Sequence, residues 1–257
     1  MTIARDWDAG TYDAVGAPVQ AFGHALLDRL ALEGDEAVLD AGCGSGAVTK
    51  ALLERLPEGR VVAADASPAM IERAREELGE DPRLQLVLAD LVELELDEPV
   101  DLVFSSAVFH WIADHEALFA RLHAALRPGG ALLAQCGAEG NVADVRQALT
   151  VVEPEAPFAE HLAGWAGPWN FSPPYLACER LERAGFVDVR AMTHIEVVTP
   201  DDPERFMSTV IVGAHLDRLP PELHDRFIQR VMEEMEHPHE MRYVRLTLSA
   251  RRATIGL

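Results

Sequence analysis

The segment Asp40-Ala41-Gly42-Cys43-Gly44-Ser45-Gly46 decides the expected fold of this chain. It overlaps an apolar run at 37–42 that predicts a buried strand, and a helical pattern follows at 47–56. Glycines at such a junction let the backbone turn tightly and approach a ligand closely. The spacing also fits the loose dinucleotide pattern G-x-G-x-x-G/A, with Ala47 in the last position. The loop alone is therefore compatible with a dinucleotide, with another nucleoside-bearing cofactor or with a structural turn.

Short apolar strands continue to alternate with helical patterns through the first 140 residues. This alternation is typical of a parallel sheet that is covered by helices on both faces. Ligands of such sheets bind beyond the carboxyl ends of the strands. The four further strands predicted in this region are RVVAAD (60–65), LQLVLAD (84–90), VDLVFSS (100–106) and ALLAQC (131–136).

Two acidic residues stand at the carboxyl ends of these predicted strands. Asp65 ends the second strand, at a position where a carboxylate can accept both hydroxyls of a ribose. Asp90 ends the third strand, where a carboxylate can accept the exocyclic amine of an adenine. Each acid alone is equally compatible with a helix cap or a solvated loop. Their significance comes from occurring together with the glycine loop.

The pattern is less regular beyond residue 140. Residues 141–172 are rich in Pro, Gly and Trp and show no clean period beyond a helical pattern at 142–150. The later elements predicted are a helix at 173–184, a long strand at 186–198, amphipathic helices at 203–217 and 222–236, and a last strand at 241–252.

Taken together, these motifs resemble those of the class I S-adenosylmethionine-dependent methyltransferases. The resemblance rests on four segments, DAGCGSG, VVAADASPAMIERA, LVLADL and LHAALRPGGALLA. It implies an α/β fold with a doubly wound, mostly parallel seven-stranded sheet, whose last strand is antiparallel, and a small, mainly helical cap. The implied S-adenosylmethionine-binding core comprises 1–140, 171–198 and 241–257, and the substrate cap comprises 141–170 and 199–240.

A narrower resemblance is to the trans-aconitate methyltransferase family. It rests on DWDAGTY near the N-terminus, SSAVFHWIADHEALFARL after the fourth strand, and RLTLSARR in the last strand. This resemblance implies methylation of a small molecule, with a carboxylate oxygen of an organic acid as the favoured acceptor. The alternative is methylation of a carbon, nitrogen or hydroxyl group with His110 as the base. An NAD-dependent oxidoreductase and a non-catalytic cofactor-binding module are the other classes left open.

The family resemblance also implies residues that bind S-adenosylmethionine. The glycine loop would leave room for the methionine moiety, and the strand-terminal acids would hold the amino group, the ribose and the adenine edge. The implied set is Tyr12 closing over the cofactor, Asp40, Gly42, Gly44 and Gly46 at the methionine, Asp65 at the ribose, Met70, Asp90 and Leu91 at the adenine, and Ser106 and Ala107 facing the sulfonium.

Candidate acceptor-binding residues follow the fourth strand or lie in the C-terminal half. His110 is either the catalytic base or a packing residue, and Trp111 is a wall or lid residue. Trp165 and Trp169 either line an acceptor pocket or form a small satellite core. By strand alternation Tyr243 and Arg245 share one face. Arg245 would grip an acceptor carboxylate with its planar fork of donors, or pair with the acidic surface.

Composition restricts the partners. The formal net charge of −21 argues against nucleic acid and anionic membrane surfaces. Yet the stretch 241–257 contains four arginines and no acidic residue. The three cysteines show no metal-ligand spacing, so no metal is expected. With no apolar signal segment or spanning run, we expect a cytoplasmic monomer or homodimer.

Overall fold

A computed structural model of the chain describes residues 7, 10–11 and 15–254. Its sheet has seven strands in the order β3-β2-β1-β4-β5-β7-β6. The first five strands pair in parallel, whereas β7 is antiparallel to both β5 and β6. The strands are β1 (Ala37–Ala41), β2 (Arg60–Asp65), β3 (Leu84–Leu88), β4 (Val100–Ser106), β5 (Leu126–Gly137), β6 (Phe186–Val198) and β7 (Met241–Arg252). The doubly wound sheet predicted from the sequence, including its antiparallel last strand, is confirmed.

Helices cover both faces of this sheet because its strands are apolar on both sides. Neighbouring residues of β1 show the division: Val38 packs with the helices of one face, and Leu39 packs with those of the other. The helices of the core are α1 (Ala17–Leu27), α2 (Ala47–Arg55) and α3 (Pro68–Leu78) on the first face, and α4 (His115–Ala125) and α7 (Pro174–Arg183) on the second.

A third hydrophobic cluster lies beyond the carboxyl ends of the strands. It joins Phe22 of α1 and Tyr243 of β7 to helices that follow β5 or lie between β6 and β7. These helices are α5 (Ala143–Val152), α6 (Ala159–Leu162), α8 (Pro203–Phe206), α9 (Gly213–Leu216) and α10 (His224–Glu234). The cluster corresponds to the expected cap, and the division of the chain into core and cap stays a prediction.

Two sequence expectations need correction here. The segment 203–217 is not one helix, because a π-helical stretch over Met207–Ile211 separates α8 from α9. There the amide of Val212 bonds to the carbonyl of Met207, five residues back, and the stretch is largely buried. The amphipathic pattern at 17–32 also predicts a helix over that whole range, but the helix of the structure ends at Leu27.

Within the described ranges, no helix is both long enough and apolar enough to cross a bilayer. Nor do the described His, Cys, Asp and Glu side chains form a group of three or more arranged to hold a metal ion.

Candidate functional site

The glycine loop is held by the end of β2. The amides of Gly42 and Cys43 both donate to the carbonyl of Ala64, at 2.8 and 3.0 Å. Gly42, Gly44 and Gly46 all have positive φ angles, of 84, 55 and 93°. Non-glycine residues adopt this region at a cost, so the glycines set the path of the loop.

Gly42 and Gly44 serve different purposes. A Cβ atom on Gly42 would lie 2.1 Å from Cγ2 of Val108, so this glycine allows the loop to pack against the segment after β4. Apart from its chain neighbours, no residue that the structure describes has an atom within 4 Å of where a Cβ on Gly44 would lie. The backbone at Gly44 therefore borders open space on the side that a ligand would occupy.

Asp65 lies directly beside this open space. One of its carboxylate oxygens accepts a hydrogen bond from the Gly44 amide at 3.0 Å, and the other accepts from the Ser67 amide at 2.9 Å. Burial raises the pKa of Asp65, and the two amide bonds partly oppose that rise. A carboxylate offers about four acceptor positions. The backbone amides of Gly44, Ser67 and Ala66 use part of this capacity, and the rest remains for ligand hydroxyls.

Asp40 is buried at the end of β1, where it is 2% exposed. Burial raises its pKa to about 6, and the hydrogen bond from Thr49 Oγ1 at 2.6 Å limits the rise. The nearby Asp65 adds a smaller increase. Two close carboxylates with raised pKa values create a site that favours a cationic ligand group.

The remaining expected adenine-binding residues lie close to the ends of β2 and β3. Asp90 follows β3 and accepts a hydrogen bond from the Val92 amide at 3.1 Å. Leu91 and Met70 are both buried. Ser67 caps α3 by accepting from the Met70 amide at 3.2 Å, which fixes the start of this helix beside Asp65.

A small cavity of about 70 Å³ joins the glycine loop to the end of β4. Ser106 Oγ is buried beside it and has no hydrogen-bond partner among the described residues. Ala107 follows with a φ of 63°, an unusual value for alanine. A larger groove of about 410 Å³ lies outside the loop, where Gln20, Lys50 and other helix residues line it. We place the site at the smaller cavity, since the strand-terminal carboxylate Asp40 lines it.

His110 lies in a short turn after β4 and is buried. Its Nδ1 accepts a hydrogen bond from the Gly137 amide at 3.2 Å, so in the neutral ring the proton is on Nε2. Burial is the main cause that lowers the pKa of His110 to about 3, and the charge of Arg245 contributes. The geometry therefore makes His110 a hydrogen-bond donor at neutral pH, which argues against its role as a general base.

Arg245 is almost fully buried, at the point where β7 pairs with the carboxyl end of β5. Its Nε and Nη2 donate to Oε1 of Gln135 at 3.2 and 3.1 Å. Its guanidinium lies over the ring of Phe22, 4.5 Å from the centroid. Tyr243 packs edge-on against the same ring, with centroids 5.6 Å apart. Tyr243 and Arg245 thus share one face, as strand alternation predicted.

The expected tryptophans form a continuous aromatic cluster with His110. The rings of Trp111 and His110 are 5.1 Å apart, and those of Trp111 and Trp169 are 6.3 Å apart. Trp169 and Trp165 both contact His215 of α9, at 5.5 and 4.9 Å. The structure therefore joins all three tryptophans at the cap, where they can form a wall.

Some polar residues at the site were not predicted. Gln135 positions Arg245 and is itself held by Thr247 Oγ1, at 3.1 Å from Gln135 Nε2. Gln135 could have been predicted as a site residue, since it is a polar residue near the carboxyl end of an apolar strand. Thr49 has no comparable signal, because a helical threonine is common. Tyr12, expected to close over the cofactor, lies outside the described residues.

Comparison with known proteins agrees with this geometry. Residues 38–130 match the methyltransferase domain family. A trans-aconitate 2-methyltransferase from Methylobacterium nodulans is 36% identical over 63% of this chain and 61% of its own length. A malonyl-[acyl-carrier protein] O-methyltransferase from Ilyobacter polytropus is 32% identical over 48% of this chain and 46% of its own.

Among solved structures, the fold matches the phosphoethanolamine N-methyltransferase 2 of Haemonchus contortus, with a TM-score of 0.59 and 20% identity. That match covers 91% of this chain and 53% of the other. The chain spans only about half to three fifths of the length of the two curated relatives. Residues 38–130 thus resemble a methyltransferase domain, and the seven-stranded sheet has the Rossmann-like fold of class I methyltransferases. Within that class the chain resembles the trans-aconitate 2-methyltransferases and the malonyl-[acyl-carrier protein] O-methyltransferases.

Proposed function

We propose that this protein is an S-adenosylmethionine-dependent methyltransferase that methylates a carboxylate oxygen of a small organic acid. The observation that carries the cofactor assignment is the open backbone face of Gly44 beside the carboxylates of Asp40 and Asp65. A ligand with a ribose and a cationic amino acid end matches these groups in both shape and charge. The two curated relatives described above are both methyltransferases, and this supports the same assignment.

The chain's own residues fit S-adenosylmethionine group by group. The acceptor capacity that remains on Asp65 suits the ribose hydroxyls, and Asp40 suits the ammonium group. Asp90 and Leu91 would hold the adenine, and the hydroxyl of Ser106 offers a polar contact next to the sulfonium. When bound, the cofactor supplies an electrophilic methyl group.

The protein's part in such a reaction is to hold the acceptor in line and to exclude water. A carboxylate acceptor is already an anion and requires no base. The low pKa of His110 and its occupied Nδ1 therefore favour a carboxylate over a carbon, nitrogen or hydroxyl acceptor. With Nε2 protonated, His110 can still donate a hydrogen bond to an acceptor oxygen.

Arg245 is the residue we assign to the acceptor. Gln135 and Phe22 fix its guanidinium in one orientation, at the carboxyl end of the sheet and close enough to His110 to lower its pKa. A preorganised guanidinium binds a planar carboxylate more strongly than a mobile one does. We assign the choice of acceptor to the cap at 141–170 and 199–240, whose aromatic cluster begins beside His110.

Calorimetry against S-adenosylhomocysteine and NAD tests the cofactor. A methyltransferase should bind the former tightly, and preference for NAD would overturn the assignment. A panel of di- and tricarboxylic acids then identifies the acceptor.

The role of Arg245 is tested by Arg245→Lys, which keeps a charge but loses the planar fork. It should raise the acceptor KM and leave the affinity for S-adenosylhomocysteine nearly intact. Arg251→Lys is the matched control, because Arg251 lies on the same strand but is exposed and bonds to the carbonyl of Gly129. An equal loss of cofactor affinity in Arg245→Lys would contradict the assignment.

A further inference from the structure

Strand β6 forms an exposed edge of the sheet. Its inner side pairs with β7, and within the described residues no strand pairs with its outer side. Three large apolar side chains on this edge are more than half exposed: Met192 at 59%, Ile195 at 53% and Val197 at 55%. Long apolar edge strands offer unpaired backbone groups to other chains, and most proteins cover or interrupt them. This edge therefore has the features of a surface at which another chain can pair.

The charges along the same strand are self-complementary. The register with β7 is regular from Arg190 to Val198, so alternate residues of this segment share a face. Arg190 has no ion-pair partner among the described residues, and Glu196 lies six positions later on the same face. Glu196 is half-exposed and contacts only the neighbouring His194, at 3.3 Å, in the ion pairs that the structure describes.

We propose that two copies of this chain pair through β6, antiparallel, about a two-fold axis at Thr193. The axis stands perpendicular to the sheet and keeps each face continuous, so residues whose numbers sum to 386 lie opposite each other. Arg190 of each copy then faces Glu196 of the other, and this ion pair forms twice. On the opposite face Ala191 lies against Ile195, which covers exposed apolar surface. The two sheets become one sheet of fourteen strands.

The two nearest registers that also keep each face of the sheet continuous do not place Arg190 opposite Glu196. An axis at Met192 places Arg190 opposite His194 instead of an acid, and Glu196 then faces the irregular stretch between Val187 and Arg190. An axis at His194 places Arg190 opposite Val198 and leaves both charges without a cross-strand partner. The irregular pairing between Val187 and Arg190 also limits the continuous segment to residues after it. The charge pattern therefore selects the axis at Thr193.

The test is the association state of the full chain with charge-reversed variants, measured by sedimentation velocity over a range of micromolar concentrations. The wild type should sediment as a dimer. Arg190→Glu and Glu196→Arg should each weaken the dimer by about tenfold or more, because each reversal places like charges opposite each other at both symmetric positions. The double variant R190E/E196R should restore the dimer, since it exchanges the two charges. Arg205→Glu is the matched control for Arg190→Glu. It makes the same charge change at an exposed residue of α8 and should leave the dimer intact.

Circular dichroism and S-adenosylhomocysteine binding show whether each variant is folded, since β6 lies away from the cofactor end of β1. A monomeric wild type at these concentrations overturns the proposal. It also fails if both single reversals sediment as the wild type does, or if the double variant stays as dissociated as the single variants. These outcomes are independent of the methyltransferase assignment, because none of the changed residues contacts the proposed cofactor site.

Discussion

Replacing Gly44 by alanine should separate cofactor binding from stability. Gly44 has a φ of 55°, and a Cβ atom there would point into open space bordering the cavity of the glycine loop. Gly42 has a φ of 84°, but its Cβ atom would overlap the side chain of Val108 at 2.1 Å. Gly79, at the end of α3, has a φ of 63° and a ψ of −157°, and apart from its chain neighbours no described residue has an atom within 4 Å of its Cβ position. It lies outside the site and so controls for backbone strain alone.

The magnitudes follow from these geometries. Holding alanine in the left-handed region costs about 1–2 kcal/mol, so Gly44→Ala should lose that much. Gly79 combines its φ with a ψ of −157°, a conformation essentially confined to glycine, so Gly79→Ala should lose about 1–3 kcal/mol. Gly42→Ala should lose about 1–3 kcal/mol more than Gly44→Ala, because the overlap with Val108 forces the packing to shift. At about 2–4 °C per kcal/mol for a chain of this size, the Tm should fall by about 2–8 °C in Gly44→Ala, by about 2–12 °C in Gly79→Ala and by about 4–20 °C in Gly42→Ala.

Thermal unfolding without ligand measures the stability of the three variants, and calorimetry with S-adenosylhomocysteine measures their affinity. Gly44→Ala should weaken binding by at least about tenfold, which corresponds to about 1.4 kcal/mol, since its methyl group occupies ligand space. Gly79→Ala should bind as the wild type does. The reasoning is refuted if Gly44→Ala keeps wild-type affinity, or if it loses as much stability as Gly42→Ala.

Three further predictions concern single side chains. Affinity for S-adenosylhomocysteine should fall as the pH decreases through about 6. The pKa of Asp40 is about 6, and its protonation removes the charge that faces the ligand's ammonium group. In a calorimetric pH series, Asp40→Asn should abolish this decrease in affinity. His110→Gln should keep kcat within about tenfold in a steady-state assay, whereas loss of a general base costs about 10²–10⁴-fold. Ser106→Ala should raise the ligand-free Tm by about 2–4 °C, because it removes a buried hydroxyl that has no described partner.

Each of these has a distinct contrary outcome. A binding profile that is flat down to pH 5 would show that Asp40 does not face the ligand's cation. A collapse of kcat in His110→Gln, with an inflection near neutral pH in the wild type, would restore His110 as the base. A lower Tm in Ser106→Ala would mean that its hydroxyl stabilises the folded state.

The fold was largely predictable because its signals are local. Each of the five parallel strands is a short apolar run, and the glycine loop and Ser67-Pro68 mark where α2 and α3 begin. The acids at the strand ends were predictable for the same reason, since parallel strands bring their carboxyl ends to one edge. The placement of Asp40, Asp65 and Asp90 at one edge of the sheet could therefore be predicted from the order of the strands in the sequence alone.

Residues whose roles depend on distant partners were not predictable. Arg245 was expected near an acceptor, but its support by Gln135 and Phe22 comes from segments more than one hundred residues away. Burial of His110, which lowers its pKa, accompanies ring contacts with Trp111 and with the distant Phe171, and its Nδ1 is bonded by the Gly137 amide. The break within 203–217 also depends on tertiary burial, which local helical propensity does not contain.

The pairing of Val198 with Met241 has a consequence for how such enzymes diversify. Residues 199–240 leave the sheet and return to it at directly opposite positions of two antiparallel strands, whose Cα atoms are roughly 5 Å apart. A segment with adjoining ends can be exchanged as a cassette without altering the register of the hairpin that carries it. Transplanting this cassette between relatives would thus test whether it sets the choice of acceptor, provided that the replacement again covers Met241 and Tyr243.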